Sequence, residues 1–114
     1  MNVTSVKRPN WEPLPLDGVV AVEGKVFLDE PDVGLAMLRF GRRASFPQHA
    51  GETDNWVVCI EGSGFVRLNG EVSEIEAGQK VYWPAGVPHQ LFTTESEMTT
   101  LMIHPGGFSP MAPA

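Results

Sequence analysis

"GQKVYWPAGVPHQLFT", residues 78–93, decides the fold. A glycine opens it, Val81-Tyr82-Trp83 follow, and Pro84-Ala85-Gly86 interrupts before a second run that begins at His89. Glycine supplies the positive φ that turns require and proline pre-sets its own φ, so the stretch reads as turn, strand, turn, strand. Pro84 and Pro88 stiffen the second turn, which fixes where the His89 imidazole points.

The same grammar runs outward in both directions. Twelve Gly and ten Pro cut the chain into short pieces and leave little room for helices. The longest stretch free of both, residues 89–104, contains four threonines and shows no helical stripe. Strands are expected at 19–23, 25–29, 35–40, 55–60, 65–68, 71–75, 80–83, 89–93 and 98–104, an all-β sandwich or barrel. "LNGE" marks the clearest hairpin, because Asn69-Gly70 suits a type I′ turn with positive φ at both central residues. Residues 1–16, with Pro9, Pro13 and Pro15, read as an extended N-terminal arm able to pair with a partner's sheet edge. The barrel domain is expected over 17–104 and a C-terminal tail, "PGGFSPMAPA", over 105–114.

At 114 residues the chain is one domain with a single core. A net charge of −6, with eight Lys and Arg spread thinly, argues against nucleic acid and against an anionic membrane surface as partners. The apolar runs "VVAV" and "WVVCI" are far too short to span a bilayer, and "MNVTSVKRPNW" lacks the apolar stretch of a signal peptide. Cys59 is the only cysteine, so no internal disulfide can form and a reducing, cytoplasmic setting is expected.

Gly78, Pro84, Gly86 and His89 fall at the spacing G-x5-P-x-G-x2-H. This resembles the second signature of the cupin family, whose pattern ends in an Asn where this chain has Thr93. The family's first signature runs G-x5-H-x-H-x3,4-E-x6-G. Anchored on Gly62, its first His slot falls on His49, its second on Gly51, its Glu on Asn55 and its leading Gly on Arg43. The resemblance covers about residues 35–104, with a specific second motif and a degraded first one. It implies a cupin-type double-stranded β-helix, a small jelly-roll barrel, and a site inside it that commonly holds Fe, Mn, Ni, Zn or Cu.

On that resemblance His49 and His89, forty residues apart, share one inward site as candidate metal ligands, with Asn55 or Glu52 assisting. Glycine at 51 offers no donor, and an amide is a weaker ligand than a carboxylate, so a divalent transition metal is favoured over Mg or Ca. Glu52 and Asp54 would restore two His and one carboxylate if their loop folded inward; otherwise they form a solvated acidic turn. Alternation from Asn55 puts Val57 and Cys59 on the face of the site. Those two, with Trp83, Leu91, Thr93 and Met37, are the candidate substrate-binding residues. Each also has a plainer reading as core, and Cys59 in particular as a small buried hydrophobe. His104, ahead of Pro105 and two glycines, reads as a surface histidine, and Arg39 and Arg67 as solvent-facing.

Three functions remain open on these residues. The leading one is metal-dependent chemistry on a small organic molecule, as an oxygenase, isomerase or lyase. A metal-free cupin that binds or senses a small ligand is the alternative, and a metal-free epimerase or isomerase using His49 or His89 as acid or base is the third. A homodimer is expected, from the Pro-rich arm and the family's habit of pairing barrels.

Overall fold

The structure is a computed structural model that describes residues 1–51 and 53–108. Glu52, with its expected share in the site, and residues 109–114 of the expected tail lie outside the described residues. Eight strands follow in order: β1 (Arg8–Pro13), β2 (Val20–Glu30), β3 (Val33–His49), β4 (Asn55–Leu68), β5 (Glu71–Glu76), β6 (Lys80–Trp83), β7 (His89–Phe92) and β8 (Met98–Pro105). No helix occurs among the described residues. The fold is the all-β jelly-roll barrel that the sequence implied.

Two long strands carry the barrel. The first half of β3 pairs with β2 and β8, and its last residues pair with β7. The first half of β4 pairs with β6 and β8, and its second half with β5 and β7. Because β3 and β4 each pair with different strands along their length, each must bend where it changes partners. In β4 the bend falls at Gly62, whose φ is +75°. A Cβ there would collide with the Glu97 carbonyl oxygen, so only glycine fits. In β3 the bend falls at 41–44, where Arg43 adopts φ +52°. Thr93 clamps it: its hydroxyl donates to the Gly41 carbonyl at 2.6 Å and accepts from the Ala44 N–H at 2.9 Å.

These bends explain where the strands differ from expectation. Residues 19–23 and 25–29 form one strand through Gly24, against which Leu14 and Leu38 pack closely. Residues 55–60 and 65–68 likewise join through Gly62 and Gly64. A glycine that reads as a strand end is here a place where another chain segment presses on the backbone. Residues 8–13 of the expected arm form β1 along β2 of the same chain. Proline is tolerated there because β1 is an edge strand, and Trp11 is held under Lys25 and Arg39, at 4.7 and 4.4 Å from the ring centre. The Asn69-Gly70 hairpin is as read, with φ of 50° and 85°.

Side-chain size along β3 sets the barrel's interior. Its inward residues run Gly34, Ala36, Leu38, Phe40, all buried. The large end is filled by Phe40, Met98, Cys59 and Val57, each 0–1% exposed. The small end leaves room. Phe108, folding back from the C-terminal side, lies directly on Gly34, and its N–H donates to Asp29 at 3.3 Å.

Two glycines separate crowding from simple backbone strain. Gly62→Ala is expected to lose about 3 kcal/mol or more in urea unfolding, because strain at positive φ adds to a backbone collision. Gly70→Ala, with nothing within 4 Å of the new Cβ, is expected to lose only about 1 kcal/mol.

Candidate functional site

At the small end of the barrel lies a cavity of about 460 Å³. Its wall is mostly apolar, with Leu38, Phe46, Trp83, Leu91 and Met102 among its members. Leu14, Pro15 and Leu16, between β1 and β2, close it on one side and Phe108 on another. Its polar members away from the mouth are His49, Asn55 and His104. A wider open cleft of about 970 Å³ runs along the filled end, past Phe40 and Met98, and contains no histidine. His49, Asn55 and His104 thus gather at the smaller cavity.

His49 ends β3 and His89 begins β7, and the two are paired in register. Their Nε2 atoms stand 3.0 Å apart. Each Nδ1 lies 3.1 Å from the carbonyl oxygen two residues earlier in its own strand, Pro47 for His49 and Val87 for His89. A carbonyl oxygen only accepts, so these contacts are hydrogen bonds when Nδ1 carries the proton. With both rings in that tautomer the two Nε2 atoms are bare lone pairs; with a proton on either Nε2 they form an N–H···N hydrogen bond. The ring centres are only 4.2 Å apart and the ring planes are inclined at 72°, so the two rings meet at an angle and not head-on. Trp83 stacks on His89 at 3.8 Å and 16°, holding the ring from behind. His89 is 1% exposed; His49 presents its edge to the cavity.

The other residues singled out from sequence divide in two. Trp83, Leu91 and Asn55 line the cavity, and Asn55 is buried with its Oδ1 3.4 Å from the Thr53 hydroxyl. Val57 and Cys59 share Asn55's face but lie deeper, in the filled core, and do not line the cavity. Burial, then Glu76, pushes the Cys59 thiol pKa up, which suits an inert hydrophobe. Thr93 is spent on the β3 bend. Met37 falls between inward Ala36 and Leu38, so it belongs to the outer face and not to the cavity wall. Asp54 faces solvent and accepts the Ala85 N–H at 2.7 Å; that bond and one from Tyr82 lower its pKa. It fastens the start of β4 to the Pro84 turn.

His104 is the residue that sequence reasoning misplaced. It is 8% exposed and lines the cavity, because β8 continues its inward alternation Met98, Thr100, Met102, His104. Both faces of β8 carry apolar residues, so the alternation alone gave no sign of which face was inside.

The cupin domain family matches residues 35–105, most of the chain. The chain belongs to the cupin family. No curated protein matches it. Among solved structures it is similar to the polyketide cyclase RemF from Streptomyces resistomycificus, at 21% identity and a TM-score of 0.81, covering 91% of this chain and 80% of that one. It is also similar to KdgF from a Halomonas species, at 20% identity and a TM-score of 0.77, covering 90% and 92%. An RmlC-like cupin from Shewanella frigidimarina aligns at 14% identity and a TM-score of 0.74, covering 81% and 82%. Identities this low establish the shared barrel and leave the chemistry to the residues.

Cupin barrels often bind metals, and the residues here can be tested for that fit. Two facing lone pairs repel unless a cation lies between them. Burial, and then His49, holds the His89 pKa down at about 4, so near neutral pH a proton is a poor candidate for that cation. Two nitrogens bound at about 2.1 Å and at right angles on one ion stand about 3.0 Å apart, against about 3.4 Å at a tetrahedral angle. The 3.0 Å separation is compatible with the right-angled pair of an octahedral or tetragonal ion, and equally with a hydrogen bond between the two rings. Among the described residues no third His, Cys, Asp or Glu completes a ligand cluster. The cupin's site thus fits a metal through two imidazoles, with Asn55 and open positions making up the rest.

Gly51 is where a third ligand is most easily restored. Its φ is not positive, and a Cβ there would meet Asn55 Nδ2 at 3.9 Å and His89 Cε1 at 4.0 Å, ordinary contacts aimed at the site. Gly51→His with Asn55→Glu is expected to tighten nickel binding at least tenfold by calorimetry; unchanged affinity in a folded variant would show that the loop does not face the ion.

The buried rings also set a pH dependence. His89 and His104 both have folded pKa values of about 4, lowered first by burial and then by His49, against 6.5 when unfolded. Between these values the unfolded chain binds more protons, so metal-free protein loses stability as pH falls from about 6.5 towards 4. The slope is at most about 1.4 kcal/mol per pH unit for each ring. Urea midpoints at pH 7, 6 and 5 check this, and His104→Phe should flatten the decline.

Proposed function

We propose that this cupin holds a divalent transition metal at His49 and His89, with Asn55 beside them, and acts on a small apolar organic molecule bound in the adjoining cavity. The observation that carries the reading is the pair of Nε2 atoms 3.0 Å apart, each ring's Nδ1 lying 3.1 Å from a carbonyl oxygen, with His49 at the wall of a nearly apolar cavity. A metal held there would supply a Lewis acid with open positions for a substrate oxygen. The chain's own residues supply the rest: Pro47 and Val87 fix the imidazole tautomers, Trp83 backs His89, and the apolar wall excludes water. Lyase, isomerase or cyclase chemistry on an oxygen-bearing carbon skeleton suits such a site. That similar barrels include a polyketide cyclase and DMSP lyases supports that range.

A second reading, metal-free binding or sensing of the same small molecule, is favoured by the chain having Gly51 and Asn55 where the family's pattern has His and Glu. Metal analysis of untagged protein prepared without chelator separates the two. About one equivalent of Fe, Mn, Ni, Cu or Zn is expected, falling below a tenth in His49→Ala and in His89→Ala. Metal-free wild-type protein that also fails to take up added nickel or zinc would leave the binding module.

A further inference from the structure

His104 is a buried polar side chain that neither the fold nor the metal site uses. It is more than nine-tenths buried, and the ring forms part of the cavity wall. Its Nδ1 is sealed from solvent and has no hydrogen-bond partner among the described residues. Phe108 packs against it at 4.5 Å between ring centres, and across the sheet its backbone pairs with Gly34. On the other side, Ile103 pairs with Trp56, which puts His104 on the inner row next to Asn55. The row then continues to Trp83, the register partner of Asn55. The ring therefore stands one strand away from Asn55, on the same wall as the His49 edge.

The sealed Nδ1 decides which tautomer the ring adopts. A buried N–H with no acceptor is costlier than a buried lone pair with no donor. The cheaper arrangement leaves Nδ1 bare and puts the proton on Nε2. A structural histidine in a core would be expected to satisfy at least one nitrogen within the protein. No hydrogen bond to His104 is seen from either nitrogen, and leucine or phenylalanine would fill the same place without desolvating an imidazole.

We propose that His104 is the recognition residue of the cavity, donating its Nε2–H to a carbonyl or ether-type oxygen on an uncharged, ring-bearing ligand. This rests on the cavity being the ligand site, as argued above. The ligand class follows from what else lines the wall. Phe46, Trp83 and Phe108 offer ring faces and edges for packing. Among the described residues Lys7 and Arg8 are the cations lining the cavity, with Asp17 and Asp29 the anions; Lys7 lies 3.7 Å from Asp29, on the outer, N-terminal side. Deeper in, a sugar would bury many hydroxyls against a wall whose polar side chains are His49, Asn55, His104 and the Trp83 N–H, at a cost for each hydroxyl left unpaired. A bicyclic or larger skeleton with few oxygens loses nothing there. One oxygen would be directed to His104 and another towards the His49–His89 pair, which orients the skeleton along the wall.

Two matched probes test this: 1-tetralone, a bicyclic ketone, and tetralin, the same skeleton without the oxygen. Binding is measured by calorimetry on the protein as purified and again after chelation, so that a carbonyl held by metal is told from one held by His104. Wild-type protein is expected to prefer the ketone at least tenfold in both preparations. His104→Phe should abolish that preference in chelated protein while leaving nickel uptake unchanged, and His104→Gln, which keeps an N–H, should restore part of it. If His104→Phe does not fold, infrared difference spectra of isotope-labelled tetralone on wild-type protein give the answer alone. A carbonyl stretch lowered relative to aprotic solvent after chelation supports the donor, and an unshifted band overturns it. Equal binding of both probes in wild type and variant would overturn the role of His104 and leave the cavity reading standing. Failure of wild type to bind either probe would overturn both.

Discussion

The contact between Nε2 of His49 and Nε2 of His89 is the constraint on which the candidate site depends. It is the last rung of the ladder between β3 and β7, so the pairing that closes one sheet also sets the two nitrogens 3.0 Å apart. The same local device is used twice: each imidazole turns back and donates from Nδ1 to the carbonyl two residues earlier in its own strand. If both rings donate from Nδ1, the facing atoms are both acceptors, and the site is electron-rich at one point. Such an arrangement is costly in an empty apolar wall and favourable beside a cation, which is the physical case for a metal at this place.

Everything around the pair serves to keep that point dry and reachable. The size gradient Gly34, Ala36, Leu38, Phe40 fills one end of the barrel and leaves the other end open for a ligand. Leu14 and Leu16 from the N-terminal side and Phe108 from the C-terminal side then cover the opening. In such a wall an electrostatic interaction is weakened less by water than it would be at the surface, so a short ligand list still has consequences. The cost of the bends that make this shape falls on a few backbone positions, Gly62 above all.

Much of this was legible in the sequence, and the reasons for the rest are specific. Turn chemistry is local, so the Asn69-Gly70 hairpin and the Pro84 turn could be read directly, and the spacing of the second signature located His89. The first signature keeps only His49 at its first slot, yet that was enough to join it to His89. Contacts from distant segments were not legible: Gly24 and Gly62 read as strand ends because nothing local shows Leu14 or the Glu97 carbonyl pressing on them. Strand parity failed where both faces are apolar. Met37 was placed in the pocket, although Arg39, two residues on and exposed, shares its face and was the available signal. His104 had no such neighbour to betray it, since Leu101 and Ile103 make the outer face of β8 apolar as well.

The central claim is that both imidazoles of the pair carry their protons on Nδ1. Long-range nitrogen-15 correlation spectra of histidine-labelled, metal-free protein at neutral pH report this directly, with His49→Gln and His89→Gln used to assign the signals. The account predicts protonated Nδ1 and bare Nε2 in both rings, with zinc or nickel then perturbing both Nε2 resonances together. A proton on Nε2 of either ring would mean an ordinary N–H···N hydrogen bond between the two histidines, and would contradict the account.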